Sequence, residues 1–300
     1  MLAIRAGRRT VEISRPDKPL FPCGITKADL ARYYVAVARA ILPHVRGRPL
    51  TLERYPDGID GPRIIQQRTG EHFPSWISRV TVPMRGGSIT HVVASDAATL
   101  AYLANQACIT VHAWLSRADH INRPDRLIFD LDPGDRVADV RGVAQDIGAL
   151  LRELGLEPFV MATGSRGFHV TVPLKRGADF DAVRAFARDV ARLAVAGDPR
   201  LTVEQRKAAR GGRIYIDVMR NTYGHTAVAP YAVRARPWAP VATPLRWEEL
   251  SQAGTRPDGW TLRTIPDRLE REGDPWANIA SSARSLGEPR RRLQVLSGST

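Results

Sequence analysis

The stretch Arg126-Leu127-Ile128-Phe129-Asp130-Leu131-Asp132-Pro133-Gly134 decides how this chain is read. An apolar run ends in two acids and then in a Pro-Gly turn, which is how a strand carries carboxylates to its end. Residues i and i+2 of an extended chain share a face, so Asp130 and Asp132 are expected side by side while Leu131 turns into the core. Two carboxylates held that close repel each other unless a cation lies between them, and hard Mg²⁺ or Mn²⁺ prefers such oxygen ligands. The alternative is an Asp-Pro-Gly turn after a strand, with both acids solvated.

A second β-rich run, Arg213-Ile214-Tyr215-Ile216-Asp217-Val218-Met219-Arg220-Asn221, also carries an acid. If the two strands are neighbours, Asp217 joins the pair, and three carboxylates form the ligand set used in two-metal phosphoryl transfer. Between them, Met161-Ala162-Thr163-Gly164-Ser165-Arg166-Gly167-Phe168-His169-Val170-Thr171-Val172-Pro173 reads as strand, tight polar turn, strand. Its glycines would let the backbone approach a ligand closely. Its hydroxyls and amide N–H groups suit phosphate oxygens, and Arg166 adds charge. A hairpin without any ligand has the same composition. His169 alternates with Phe168 and Val170, so it faces the opposite way; a satisfied structural histidine is the alternative to a catalytic one.

The surrounding pattern is mixed α/β. Thr26-Lys27-Ala28-Asp29 has the form of a capping box opening a helix to about Leu42, with Leu30, Tyr33, Tyr34, Val37 and Ile41 at helical spacing. A helix is expected from Ser95 to about Ala107, ahead of a strand carrying His112. Residues 137–154 and 179–195 carry helical periodicity, each after a motif strand, and no internal repeat is present. The tail from Ser281 to Thr300, with Arg290-Arg291-Arg292, reads as polar and mobile. Domain limits are set at 1–285 for one catalytic domain, with its catalytic lobe at about 95–250, and 286–300 for a basic tail.

In 300 residues, 44 Lys and Arg stand against 31 Asp and Glu, a formal net charge of +13 that favours a polyanionic partner. No apolar run of about 20 residues exists to span a bilayer, and Met1-Leu2-Ala3-Ile4-Arg5 lacks the apolar core of a signal peptide. Two cysteines, Cys23 and Cys108, are too few for a disulfide framework, so a cytoplasmic, nucleoid-associated protein without membrane contact is expected.

A further segment, Ala229-Pro230-Tyr231 through Arg234-Ala235-Arg236, completes a set of motifs with those already quoted. With this order and spacing the chain resembles the polymerase domain of bacterial DNA ligase D, a branch of the archaeo-eukaryotic primase superfamily, over roughly residues 10–280. Weaker echoes are Gly24-Ile25-Thr26-Lys27, Arg54-Tyr55-Pro56-Asp57-Gly58, Glu71-His72-Phe73-Pro74 and His112 with Trp114-Leu115-Ser116-Arg117. The resemblance implies a two-lobed primase-polymerase fold with a ferredoxin-like, RNA-recognition-like catalytic sheet. It also implies template-directed nucleotide addition at gaps and broken DNA ends in non-homologous end joining, with a preference for ribonucleotides.

By the same resemblance, Asp130, Asp132 and Asp217 would bind two Mn²⁺ or Mg²⁺ ions, at which a primer 3′-hydroxyl attacks the α-phosphate of an NTP or dNTP. His112, Thr163, Ser165, Arg166, His169, Arg220 and Arg234 would surround the nucleotide. Lys18 and Lys27 would hold a DNA 5′-phosphate, and Arg54, Ile64 and Ile65 would face the template. Three departures stand out. Ile64-Ile65 occupies a place where relatives carry aromatics, and an isoleucine lacks the π-face on which a base stacks. Arg166 replaces a lysine, and Trp238 replaces a glycine. The chain ends without a ligase lysine motif, so a stand-alone module is expected, with Ku and an ATP-dependent DNA ligase as separate partners. A metal-dependent nuclease using the same acids and a catalytically silent DNA-end-binding scaffold are the rival readings.

Overall fold

In the computed structural model, which describes residues 1–134 and 139–298, the chain divides into two units that interleave along the sequence. Unit 1 comprises Met1–Asp119, Thr226–Thr243 and Asp258–Asp274; unit 2 comprises His120–His225, Pro244–Pro257 and Pro275–Thr300.

Unit 1 opens with a hairpin of β1 (Leu2–Ala6) and β2 (Arg9–Ile13), followed by α1 (Lys27–Ala36) and α2 (Ala38–Val45). Then come β3 (Leu50–Arg54), β4 (Ile64–Gln66), the hairpin β5 (Arg79–Met84) and β6 (Gly87–Val92), α3 (Ala97–Asn105) and β7 (Cys108–Trp114). The capping box at α1 is formed as expected: Thr26 accepts from the Asp29 N–H, and the Asp29 carboxylate accepts from the Thr26 N–H. The single helix expected to about Leu42 is instead two. Val37, with ψ near 7°, ends α1 and starts α2. The helix expected from Ser95 starts two residues later, at Ala97, because Asp96 accepts from the Thr99 N–H at 2.8 Å and caps α3.

Unit 2 carries β8 (Arg126–Asp132), α4 (Val140–Glu153), β9 (Phe159–Ala162), β10 (Phe168–Pro173), α5 (Phe180–Gly197), β11 (Leu201–Thr202) and β12 (Ile214–Asp217). The chain returns to unit 1 with β13 (Thr226–Val228), then forms β14 (Thr243–Leu245), α6 (Ile265–Glu272) in unit 1 and α7 (Gly287–Gly298) in unit 2. In unit 1, β13-β7-β3-β4 make one sheet; in unit 2 the order is β11-β12-β8-β10-β9-β14. The succession β8-α4-β9-β10-α5-β12, with its four strands ordered β12-β8-β10-β9 and every neighbouring pair antiparallel, is the ferredoxin-like arrangement expected.

The apolar face of that sheet is fully closed. Leu127, Phe129, Leu131, Val170 and Val172 have no exposed surface, and α4 and α5 bury Val143, Ile147, Leu151, Val183, Phe186 and Val190. The opposite face is left to the acids.

Two boundaries differ from the sequence reading. The catalytic lobe expected at about 95–250 is narrower at its start, because α3 and β7 pack in unit 1. The expected mobile tail is helical over Gly287–Gly298, where Leu293 is buried and Arg290 and Arg292 donate to the carbonyls of Ala182 and Glu153. Residues 137–138, in the helix expected from 137, and 299–300, at the tail end, lie outside the described residues.

Candidate active site

Register brings the acids together. β8 and β12 run antiparallel with Asp217 opposite Asp130, and β8 and β10 run antiparallel with His169 opposite Asp130. Directly paired residues share a face, so Asp130, Asp217 and His169 line one side, with Asp132 two residues along. This is the neighbour relation that the two acidic strands required.

Each carboxylate has a cationic or hydrogen-bonding partner. Asp130 lies 3.4 Å from His169 Nε2 and accepts from Arg220 Nε at 3.2 Å. Asp132 accepts from Arg166 Nη2 at 3.1 Å and from Arg210 Nη1 at 3.0 Å. Asp217 accepts from the Met219 N–H at 2.7 Å and stands 3.9 Å from Arg220 Nε. Burial alone would raise the Asp130 pKa; His169 and Arg220 overcome it and hold the carboxyl at about 2, so it is ionised at neutral pH.

Among the described residues, no three carboxylate, imidazole or thiol groups are drawn in closely enough to chelate an ion. The donor set nevertheless suits Mg²⁺ or Mn²⁺, since three hard carboxylates share one face and the charge now matched by arginine and histidine is the charge an ion would neutralise.

The Thr163–Gly167 turn is more structural than its composition implies. The Thr163 hydroxyl and N–H both point to the Gly167 carbonyl, at 2.8 and 3.1 Å, and the Gly164 N–H donates to Pro257 O. Gly164 takes φ +65°, which the turn requires. At Gly167 a Cβ would stand 1.8 Å from Leu131 O, so this glycine serves the approach of two backbones rather than of a ligand. Ser165 is half-buried and Arg166 exposed.

The remaining expected residues belong to unit 1. His112 Nε2 lies 3.2 Å from Glu53 Oε2, Tyr55 donates to Glu53 Oε1 at 2.9 Å, and Arg63 lies 3.4 Å from the same oxygen. Burial opposes ionisation of Glu53, but the bonds from His112 and Tyr55, with the charges of His112 and Arg234, hold it at about 2. Arg54 donates to Gln106 O and Gln66 Oε1, while Ile64 and Ile65 on β4 are 43 % and 50 % exposed. Lys18 pairs with Asp57 at 2.8 Å. Lys27 is buried, donates to Ser14 Oγ at 3.1 Å, and has its pKa lowered by burial and then by the charges of Arg15 and Lys18.

Sequence reading missed three residues. Arg210 is nearly buried, binds Asp132 and the carbonyls of Glu204 and Gln205, and stacks 4.1 Å from the Tyr215 ring. Its only local signal is an arginine in a basic loop. Glu53 reads as the solvated side of a strand until β4 and β7 flank it on either side. Asn221 was part of a quoted motif without a role; fully buried, it accepts from the Ile128 N–H and donates to Ile128 O and Val218 O. Its amide thus takes up ladder bonds of β8 just past the end of β12.

Residues 26–276 match the family model described as LigD, primase-polymerase domain. The multifunctional non-homologous end joining protein LigD of Mycolicibacterium smegmatis is 32 % identical over 279 residues, covering 91 % of this chain and 36 % of that protein. Its namesake in Pseudomonas aeruginosa is 32 % identical over 296 residues, 97 % of this chain and 35 % of that protein. The chain therefore spans about a third of the length of these curated relatives. Among solved structures, the polymerase domain of Mycobacterium tuberculosis ligase D in complex with DNA superposes with a TM-score of 0.85 at 32 % identity, covering 91 % of this chain and 99 % of that one.

Proposed function

The chain belongs to the LigD primase-polymerase domain family, and from that premise we propose that it extends a DNA primer strand at gaps and broken ends, with Asp130, Asp132 and Asp217 as its acid centre. Membership makes it a nucleotidyltransferase of the archaeo-eukaryotic primase type. The observation that carries the site assignment is the direct pairing of Asp217 with Asp130, which puts three acids of a strongly basic protein on one sheet face.

Asp130, Asp132 and Asp217 would hold two Mn²⁺ or Mg²⁺ ions, which supply charge neutralisation at the phosphates and a lowered pKa for the attacking hydroxyl. The chain's own groups do the rest. Arg166 and Arg220 are each more than two-fifths exposed at their side chains and can meet a triphosphate while bordering the acids. His169, buried beside Asp130, orients that carboxylate and brings a hydrogen-bonding nitrogen to the same face. His112 and Arg234 are assigned to the nucleotide through the family motif alone.

DNA is the partner proposed for the basic surface, in keeping with the M. tuberculosis domain solved in complex with DNA. The charge of Lys27 is disfavoured by burial and by the neighbouring Arg15 and Lys18, so this basic cluster gains from an anion, and Lys27 with Lys18 is the proposed receptor of a downstream 5′-phosphate. The relatives named for end joining suggest gap filling before ligation as the setting, with Ku and a ligase as companions.

The test is a labelled gapped duplex incubated with Mn²⁺ and each NTP and dNTP. Wild type should lengthen the strand, ribonucleotides being used at least as well as deoxyribonucleotides. Asp130→Ala and Asp217→Ala should abolish addition and retain DNA binding. Strand shortening by the wild type would replace this reading with hydrolysis, and extension by either variant would sink the site assignment.

A further inference from the structure

Of the six tryptophans, Trp238 is the one that is exposed, at 73 % of its surface, while Trp114 and Trp276 are almost fully buried. It sits at the tip of a narrow hairpin, Val233-Arg234-Ala235-Arg236-Pro237-Trp238-Ala239-Pro240-Val241, closed at its root by the Val233–Val241 bridge. The tip is rigid. Arg234 N donates to Pro240 O, Arg236 N to Arg234 O, and Ala239 N to Arg236 O. Ala239 takes φ +49°, and its carbonyl accepts from the Leu262 N–H. A bridge from Pro240 to Thr261 and a bond from Val241 N to Trp260 O fasten the hairpin from a second side.

An exposed indole on a fixed backbone offers a flat apolar face to a partner. A protein partner would call for a contiguous apolar patch. Here the exposed neighbours are Arg236 and Pro237, in a chain of net charge +13. A rigid aromatic beside a cation is the arrangement that stacks on an unpaired base while phosphate is drawn to the charge. The root of the hairpin also lies near the exposed edge strand: the charge of Arg234 acts on Glu53, and Glu53 faces Ile65 across the β3/β4 pair. There, isoleucines offer no π-face.

We propose that Trp238 is a stacking platform for an unpaired nucleobase of the DNA, supplying on the Arg234–Val241 hairpin the aromatic surface that Ile64 and Ile65 lack. This rests on the DNA-polymerising reading for its ligand class, and its test is independent of catalysis. Binding of the full chain, without metal, is measured for three labelled duplexes: blunt, with a single-stranded thymidine tail, and with an abasic tail of the same length. Wild type should prefer the thymidine tail over the abasic tail by about 5- to 100-fold. Trp238→Ala should erase that preference, keep blunt-duplex binding and keep its melting temperature, and Trp238→Phe should restore the preference. Equal binding of both tails by wild type, a preference retained in Trp238→Ala, or no restoration by phenylalanine would each overturn the proposal. If the tail preference behaves as described but wild type adds no nucleotide in the gapped-duplex assay, the polymerase reading fails and this one stands.

Discussion

Replacing Gly167 by alanine should disable the acid centre without touching any acid. An ideal Cβ there lies 1.8 Å from Leu131 O, 3.0 Å from Leu131 C and 3.4 Å from Pro133 Cδ. Close carbon–oxygen contacts settle at about 3.3–3.6 Å, so roughly 1.5 Å must be found. The obstacle is backbone, which cannot rotate away, and it is the peptide between Asp130 and Asp132. Either β8 shifts or the Thr163–Gly167 turn opens; both alter the spacing of Asp130, Asp132 and His169. Overpacking of this kind costs about 1–3 kcal/mol, and a misplacement of about 1 Å at reacting groups can lower a rate about 100-fold. The assay is primer extension with Mn²⁺ alongside a circular-dichroism melt, with Gly177→Ala as control because nothing lies within 4 Å of a Cβ there. Gly167→Ala should melt several degrees lower and lose at least about 100-fold in nucleotide addition, while Gly177→Ala keeps both. Wild-type melting and rate in Gly167→Ala would refute the reasoning.

Asn221→Ala strands the N–H and carbonyl of Ile128 in the core and should cost about 2–4 kcal/mol in urea unfolding; a loss within about 0.5 kcal/mol would show the bonds to be dispensable. Glu53 is held at about 2 against an ordinary 4.5, so between those values the unfolded chain binds the proton first. Its stabilisation, at most about 3 kcal/mol, is therefore present above pH 4.5 and lost as pH falls toward 2, and Glu53→Gln should flatten the fall of melting temperature in that window. An equally steep fall in the variant would remove Glu53 as its source. The pair Lys18→Ala with Lys27→Ala should abolish the tighter binding of a gapped duplex that bears a 5′-phosphate over its hydroxyl-ended twin, and spare extension of a simple primer-template. A wild type that treats both substrates alike would leave the basic cluster without this role.

What the sequence made legible was local. Period-two alternation put Asp130 and Asp132 on one face, the Thr26–Asp29 spacing set the start of a helix, and the turn at Thr163–Gly167 separated two strands. The pairing of Asp217 with Asp130 needs a crossing strand 85 or so residues later in the chain, and a hydrophobic pattern carries no register of that range. Burial of polar groups was the other blind spot. Glu53 lies among Thr51, Leu52 and Arg54, a pattern that reads as an ordinary half-solvated strand; only the tertiary neighbours His112, Tyr55 and Arg63 make its charge tolerable. Arg210 was hidden for the same reason, since a loop arginine declares itself only through the carbonyls and the ring it ends up against. Glycine misled in a further way: at Gly167 the small residue reflects strand contact, which composition cannot tell from room for a ligand.

The balance of charge at the acid face explains how it folds before any ion arrives. Carboxylates on adjacent strands destabilise a sheet unless something compensates, and here the compensation is distributed unevenly. Asp217 leans on a backbone N–H, Asp130 on His169 and Arg220, and Asp132 on two guanidinium groups. The two Asp132 partners differ in kind. Arg166 keeps 49 % of its side chain exposed and can trade the acid for water or phosphate at small cost, since exposed ion pairs contribute about 0–1 kcal/mol. Arg210 keeps only 10 %, and two further donors are committed to the carbonyls of Glu204 and Gln205. A buried guanidinium so fixed is expensive to leave without its acid, so Arg210 ties Asp132 to the fold even though that side chain is the most exposed of the three acids, while Asp130 and Asp217 are joined directly by register. The same face thus contains one acid tied to a fixed guanidinium and two whose partners are a half-exposed arginine, a buried histidine and a backbone amide, a division that lets a strongly basic protein keep three negative charges together while leaving exposed cations at their border.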